Sequence, residues 1–265
     1  MLHYMLDAYG SEEENSNNLL CVNELLGKVF KDLSVSPVMP PFLLPYYYCE
    51  DPSDGGISAF CFCKGGHITI HTFPFRGCYF ADLFCDDFFT TQEAEKAFTN
   101  MLYARKVKSV LVDRRFPDSF PKPDDNDSSD FGPHYLIKVD DIDLSMERIY
   151  QILDTMPDKI EMLPISRPYV IFDNNFAPKF ISGLVLVAQS HISMHYDIAA
   201  RQLYMDIFSC KFLDDHNIRP VLQDLFSDKA DYHLIIRGSK YVWNSQTTKE
   251  KYDRNSAWRK GSIGS

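Results

Sequence analysis

Apolar and polar positions alternate in short runs along much of this chain. Ile68-Thr69-Ile70-His71 is the clearest case, and a period of two predicts antiparallel strands with one face covered. Elsewhere the apolar period lengthens to that of a helix, over Asn18 to Leu33, Thr91 to Arg105, Leu144 to Met156 and Leu213 to Phe226. Further strands are predicted over His3 to Tyr9, Lys108 to Asp113, His134 to Val139 and Tyr232 to Arg237. The longest apolar run, around Leu184 to Ala188, is short enough to be one buried strand and far too short to span a bilayer.

These elements fall into two copies. Ile57-Ser58-Ala59, Gly66-His67-Ile68-Thr69-Ile70-His71 and Ala81-Asp82-Leu83-Phe84 return as Ile181-Ser182-Gly183, Ser190-His191-Ile192-Ser193-Met194-His195 and Met205-Asp206-Ile207-Phe208. The offset is constant at every position, with no insertion between, so the chain reads as a tandem duplication. Each copy has the predicted order β-α-β-β-β-α-β. The expected fold is α+β: two α/β modules, each an antiparallel sheet covered by helices, stacked as a four-layer αββα sandwich. Residues 1–115 form the first module and 134–242 the second. Between them, 116–133 carries four prolines and five aspartates and reads as a solvated linker; 243–265 reads as a loose polar tail.

Composition narrows the partners. A net charge of -10 argues against a nucleic-acid backbone as ligand, and neither a signal peptide nor a membrane span is visible. Seven scattered cysteines suit reduced thiols in a cytoplasm better than a disulfide framework. The expectation is a cytoplasmic protein acting on a small molecule, with pairing of two fused chains open.

The two copies differ where chemistry would be done. Copy two has Ser190 and Cys210 where copy one has Gly66 and Asp86; both keep an upstream serine (Ser58, Ser182) and a second histidine (His71, His195). The Ser190-His191-Ile192-x-x-His195 block, the cysteine that follows it, and its echo in Gly66-His67-Ile68-Thr69-Ile70-His71-Thr72-Phe73-Pro74 resemble the S-adenosylmethionine decarboxylase family, including its small bacterial and archaeal form. The resemblance runs once through each half. It implies that Ser190 attacks its own peptide bond, splitting the chain between Gln189 and Ser190. The second fragment would then begin with a covalent pyruvoyl group, which decarboxylates a substrate amine through a Schiff base. It also implies a site shared between modules, with Ser190 and a proton-donating Cys210 from the second and Ser58 and His71 from the first. The opposite combination, Gly66 and Asp86 with Ser182 and His195, has no nucleophile. One working site and one dead site are expected.

The substrate is less plainly written. The family's ribose-holding glutamate lies four residues after the complementing histidine, where this chain has Phe75, and its adenine-stacking aromatic six before the complementing serine, where it has Pro52. Tyr46 to Tyr48 lie near enough to compensate. Phe75, Pro52 and Lys138 are the candidate substrate-binding positions. Decarboxylation of S-adenosylmethionine for polyamine synthesis is the leading expectation, with the same chemistry on ornithine or arginine as the alternative. Asp86, Asp87 and Asp197 are available to a basic substrate. A non-catalytic regulatory paralogue is the competing class.

Plainer roles suit the other conspicuous residues. Cys61 and Cys63 alternate with aromatics as core thiols. His67 and His71, or His191 and His195, share a strand face but lie about 13 Å apart, too far to share an ion, so no metal is expected. Asp82 and Asp206 read as structural hydrogen-bonding groups, and Gly65-Gly66 lacks the spacing of a phosphate loop.

Overall fold

The computed structural model describes residues 1–49, 51–116, 120, 132–173, 177–188, 190–209, 213 and 215–238. Gln189, Cys210, nearly all of the linker and the tail lie outside them. The first module comprises β1 (Leu2–Tyr9), α1 (Glu13–Ser16), α2 (Leu19–Asp32), β2 (Phe42–Tyr46), β3 (Gly56–Cys63), β4 (Gly66–Phe73), β5 (Cys78–Cys85), α3 (Thr91–Thr99) and β6 (Lys106–Asp113). The second comprises β7 (Pro133–Val139), α4 (Met146–Lys159), β8 (Tyr169–Asp173), β9 (Phe180–Val187), β10 (Ser190–Asp197), β11 (Gln202–Phe208), α5 (Asp215–Phe226) and β12 (Ala230–Ile236). Each module is a six-stranded antiparallel sheet, ordered β2-β3-β4-β5-β1-β6 and β12-β7-β11-β10-β9-β8. Ser58 pairs with His71 and Ser182 with His195; His67 faces Phe84 and His191 faces Phe208, so the duplication holds down to the register.

Each sheet has one strand more than the alternation suggests, β2 and β8. Both are edge strands and both are proline-marked, β2 carrying Pro45 and β8 following Pro168, which hides them from a period-two search. The helix expected over Thr91 to Arg105 stops at Thr99, because the chain must turn there for Arg105 N–H to reach the Tyr9 carbonyl, at 2.8 Å, before entering β6. The strand β7 also begins one residue earlier than expected, at Pro133.

The helices take their bounds from local chemistry. Asn18 caps α2 by accepting from Leu20 and Cys21 N–H, Thr90 and Glu93 form a reciprocal box on α3, and Ser145 caps α4. Val22, Leu25, Leu26, Val29 and Phe30 then bury one stripe of α2, each contributing about 2 kcal/mol on removal from water. The two outer cores, α2 and α3 on the first sheet and α4 and α5 on the second, are built almost wholly of apolar side chains.

The layer between the sheets is different. Apolar clusters ring it: Tyr9, Phe73, Phe80 and Phe208 at one end, Phe84, Phe180 and Tyr204 at the other, Phe60, Phe62, Leu184 and Leu186 along one edge, Met5, Val112, Leu136 and Ile235 along the opposite one. Inside that ring lie six of the chain's eight histidines, at most 1% exposed, with Asp82, Asp206, Arg114 and Arg237. No helix among the described residues is long and apolar enough to cross a membrane.

Candidate functional site

Strand alternation sends His67 and His71 of β4, and His191 and His195 of β10, toward the opposite sheet. They meet in crossed pairs. His71 Nε2 lies 3.0 Å from His191 Nδ1, and His67 Nδ1 lies 2.7 Å from His195 Nε2, each pair of rings stacked within about ten degrees of parallel. Each complementing histidine also holds its own module's serine: Ser58 Oγ is 2.9 Å from His71 Nδ1, and Ser182 Oγ 2.9 Å from His195 Nδ1. Two three-membered chains result, Ser58-His71-His191 and Ser182-His195-His67, related by the internal repeat.

At the head of one chain is Ser190, the residue before His191. It opens β10 opposite Val187 and is fully buried. The structure therefore brings Ser58, His71 and Ser190 to one end of the sandwich, from two modules. At the head of the other chain is Gly66. A β-carbon built there would stand 1.7 Å from the Phe84 carbonyl oxygen and 3.1 Å from Cys85 Cα, so this backbone has no room for any side chain. Asp86, the counterpart of Cys210, is exposed.

Burial disfavours the charged form of five of these imidazoles. It lowers the His67 pKa to about 4 and those of His71 and His134 to about 3, and holds His191 and His195 well below the ordinary value. Charge in the layer is carried instead by two arginines. Arg114, just past β6, reaches into the second module to Asp206 and to the Ile137 and Met205 carbonyls at 2.7 and 3.0 Å. Arg237, just past β12, reaches into the first module to Asp82 at 2.6 Å, Asp7 at 2.8 Å and the Leu6 and Ala81 carbonyls. Burial alone would raise the Asp82 and Asp206 pKa values, but the facing guanidinium outweighs it and holds both carboxyls far below the usual range. Arg237 also lies 4.6 Å from the Phe208 ring centre, and Arg114 5.3 Å from that of Phe84. Asp82 and Asp206 are thus ion-pair partners, beyond the hydrogen-bonding role expected of them; Ser193 and Thr69 donate to their second oxygens. His3, Asp82 and His134 also lie close enough together to hold an ion, yet Arg237 already supplies Asp82 with its countercharge and stands 3.4 Å from His134 Nδ1.

Other residues singled out from the sequence are distributed unevenly. Pro52 opens a 3-10 turn, Pro52–Asp54, whose Asp54 and neighbouring Asp51 hold Arg76, the residue after Phe75. Phe75 is buried against Tyr47. These groups lie beyond His71, at the Ser190 end. Lys138 does not: it registers with Tyr204, level with His195, and pairs with Asp140 at 3.1 Å. Asp86, Asp87 and Asp197 also sit at the Gly66 end, where Asp197 caps the turn through Ala199 and Ala200 N–H. The carboxylate that acts on His71 is Asp82, already engaged by Arg237. Cys61 and Cys63 are buried thiols with raised pKa values, Cys61 donating to the Met39 carbonyl.

Arg114 and Arg237 escaped notice in the sequence. The signal was an arginine at the end of the last strand in both copies, together with the aspartate, Asp82 and Asp206, that recurs at the repeat offset. His3 and His134 head the first strand of each copy and were visible only as repeat markers.

The adenosylmethionine decarboxylase of Aquifex aeolicus VF5 is 20% identical over 42% of this chain and 87% of its own, at a TM-score of 0.36. A protein of unknown function from Galdieria sulphuraria is 10% identical, covering 89% of this chain and 99% of its own, at a TM-score of 0.21. No curated protein matches the chain significantly. The S-adenosylmethionine decarboxylase family profile matches it twice, over residues 2–115 and 136–238, once per module, and the chain belongs to that family.

Proposed function

We propose that this protein is a self-processing, pyruvoyl-dependent decarboxylase with one working site, formed by Ser190 and Cys210 of the second module and Ser58 and His71 of the first. The observation that supports it most is the Ser58-His71-His191 chain: groups of the first module are hydrogen-bonded to the residue adjoining the cleavage serine. The vacant mirror position at Gly66 supports a single site.

In the processing step, Ser190 Oγ attacks the Gln189 carbonyl carbon and exchanges the amide for an ester. Loss of the Ser190 α-proton, with departure of the Gln189 carboxylate from Cβ, leaves a dehydroalanyl end. Uptake of water and release of ammonia convert that end to pyruvoyl. A neutral His71, bridged to Ser58, is suited to hold and pass a proton there. The finished group supplies a ketone that condenses with a substrate amine and withdraws electrons as carbon dioxide leaves. Cys210 returns a proton to the substrate carbon.

S-adenosylmethionine is the proposed substrate, consumed in the cytoplasm for polyamine synthesis. Ornithine and arginine are the alternatives, because Phe75 offers no acceptor where a ribose would be held. Denaturing mass spectrometry tests the processing. Two fragments divided between Gln189 and Ser190 are expected; a single mass of 30.6 kDa, unchanged on long incubation, overturns the proposal. Release of carbon dioxide from S-adenosylmethionine, ornithine, arginine or lysine then identifies the substrate.

A further inference from the structure

We infer that His191 is a positioning residue that sets the proton on His71: it donates its Nδ1–H to His71 Nε2, so that His71 carries its own proton on Nδ1 and presents it to Ser58. The consequence for catalysis rests on the self-processing reading above; the proton arrangement itself does not.

A neutral imidazole has one N–H and one lone pair. Both rings are fully buried, and burial keeps both neutral. The 3.0 Å contact between them therefore holds a single proton, and the chain runs in one of two directions. If it runs outward from Ser58, the hydroxyl donates to His71 Nδ1, His71 donates to His191, and His191 must keep its proton on Nε2. That atom is buried and has no hydrogen-bond partner among the described residues. An orphaned N–H in a closed interior is the rarer and costlier outcome. If the chain runs inward from His191, every N–H is used: His191 Nδ1 donates to His71 Nε2, His71 Nδ1 donates to Ser58 Oγ, and only a lone pair is left over. The Ser58 hydroxyl proton is then released to bond elsewhere in the site.

The duplication supplies an internal control. His67 makes the equivalent bond to His195, at 2.7 Å, with its own Nε2 equally unpartnered among the described residues, but it adjoins Gly66 and no nucleophile. A substitution at His67 disturbs the same kind of packing, including an edge-on contact with the His191 ring at 5.4 Å between centres, but removes no hydrogen bond of the Ser58-His71-His191 chain.

The test uses full-length protein labelled with nitrogen-15 in histidine, together with processing half-times read by mass spectrometry. Wild type should show His71 protonated on Nδ1. His191→Phe should leave His71 Nε2 without its donor, seen as loss of the hydrogen-bonded nitrogen-15 shift at that atom, and slow processing about tenfold or more. His191→Asn, whose amide restores a donor near the Nδ1 position, should recover both readouts in large part, while His67→Phe should process near the wild-type rate. A wild-type His71 protonated on Nε2 overturns the inference. So does His191→Phe processing like wild type, or His67→Phe slowing it equally, which would mark a general packing effect. If wild type shows the stated proton arrangement but never cleaves, the arrangement stands and the self-processing reading falls.

Discussion

Arg237, at the end of the second module, donates to Asp82 in the first at 2.6 Å, while Arg114, at the end of the first, donates to Asp206 in the second. Each arginine is the first residue beyond its module's last strand, and each finds its carboxylate on the other sheet. The modules are cross-tied. Neither can move away without leaving a buried guanidinium and a buried carboxylate unpaired. The bonds from both arginines to the other module's carbonyls hold the same contact through backbone groups that have few alternatives.

Removing one member of such a tie should be far worse than its surface equivalent. Arg237→Met leaves Asp82 and Asp7 buried without a cation, and is expected to lose about 3–5 kcal/mol of unfolding free energy. Asp82→Asn should lose a comparable amount, and the double variant should lose less than the sum because the two share one interaction. Urea titrations followed by far-ultraviolet circular dichroism measure all three. An Arg237→Met protein within about 0.5 kcal/mol of wild type would show that the tie contributes nothing.

The Gly66 position should resist conversion to a cleavage site. Gly66→Ser restores the residue that the second module has at the matching position, yet its β-carbon would collide with the Phe84 carbonyl. The strand must shift to admit it, with an expected loss of roughly 2 kcal/mol or more. No cleavage before residue 66 should appear by mass spectrometry. A Gly66→Ser chain that splits there would mean that backbone and nucleophile are independent, contrary to the geometry.

Much of this was legible because duplication doubles every signal. Four helices, the repeated strands and the sandwich followed from apolar period and from the offset linking Ser58 with Ser182 and His71 with His195. What escaped has physical reasons. The edge strands β2 and β8 are marked by Pro45 and Pro168, which mask alternation. Arg114 and Arg237 lie just outside the strands they serve, in positions where an arginine ordinarily faces solvent. The crossed pairing of His71 with His191 depends on how two sheets stack, and no spacing within one strand encodes it. Lys138 shows the same point: sequence gives its strand but not which end of the sandwich it occupies.

Acid should unfold the protein in two stages. Five buried histidines, His67, His71, His134, His191 and His195, have native pKa values depressed below the ordinary 6.5, to about 4 for His67 and about 3 for His71 and His134. Between those values and 6.5 the unfolded chain binds more protons than the native one, so stability falls as pH is lowered through that window, by about 1.4 kcal/mol per unit for each fully shifted histidine. Below about pH 4 the depressed carboxyls of Asp82 and Asp206 add to the loss. Urea midpoints at pH 7.5, 6, 5 and 4.5 should drop steadily. A flat profile over that range would mean that the imidazoles are not held neutral.

Cys210 is proposed to return a proton after decarboxylation and takes no part in the acyl shift. Cys210→Ala should therefore cleave at nearly the wild-type rate while turning over at least about a hundredfold more slowly. Fragment masses report the first quantity and carbon dioxide release the second. Equal turnover in the variant would remove Cys210 from the chemistry.

The final contrast compares two histidines that are near twins. His71 and His195 each bond a serine at 2.9 Å and a histidine of the other module, at 3.0 and 2.7 Å, and both are fully buried. Replacing either by alanine removes the same contacts, so the loss in folding stability should be similar for both. Their chemical surroundings differ: His71 is linked to the residue beside Ser190, His195 to the residue beside Gly66. His71→Ala should slow self-cleavage by about a hundredfold, and His195→Ala should change it by no more than a few-fold at matched folded fraction. Half-times from mass spectra, set beside thermal melts of the same samples, separate the two effects. Equal slowing by both variants would contradict a single site assembled across the modules, since only one of these twins is bonded to the neighbour of the proposed nucleophile.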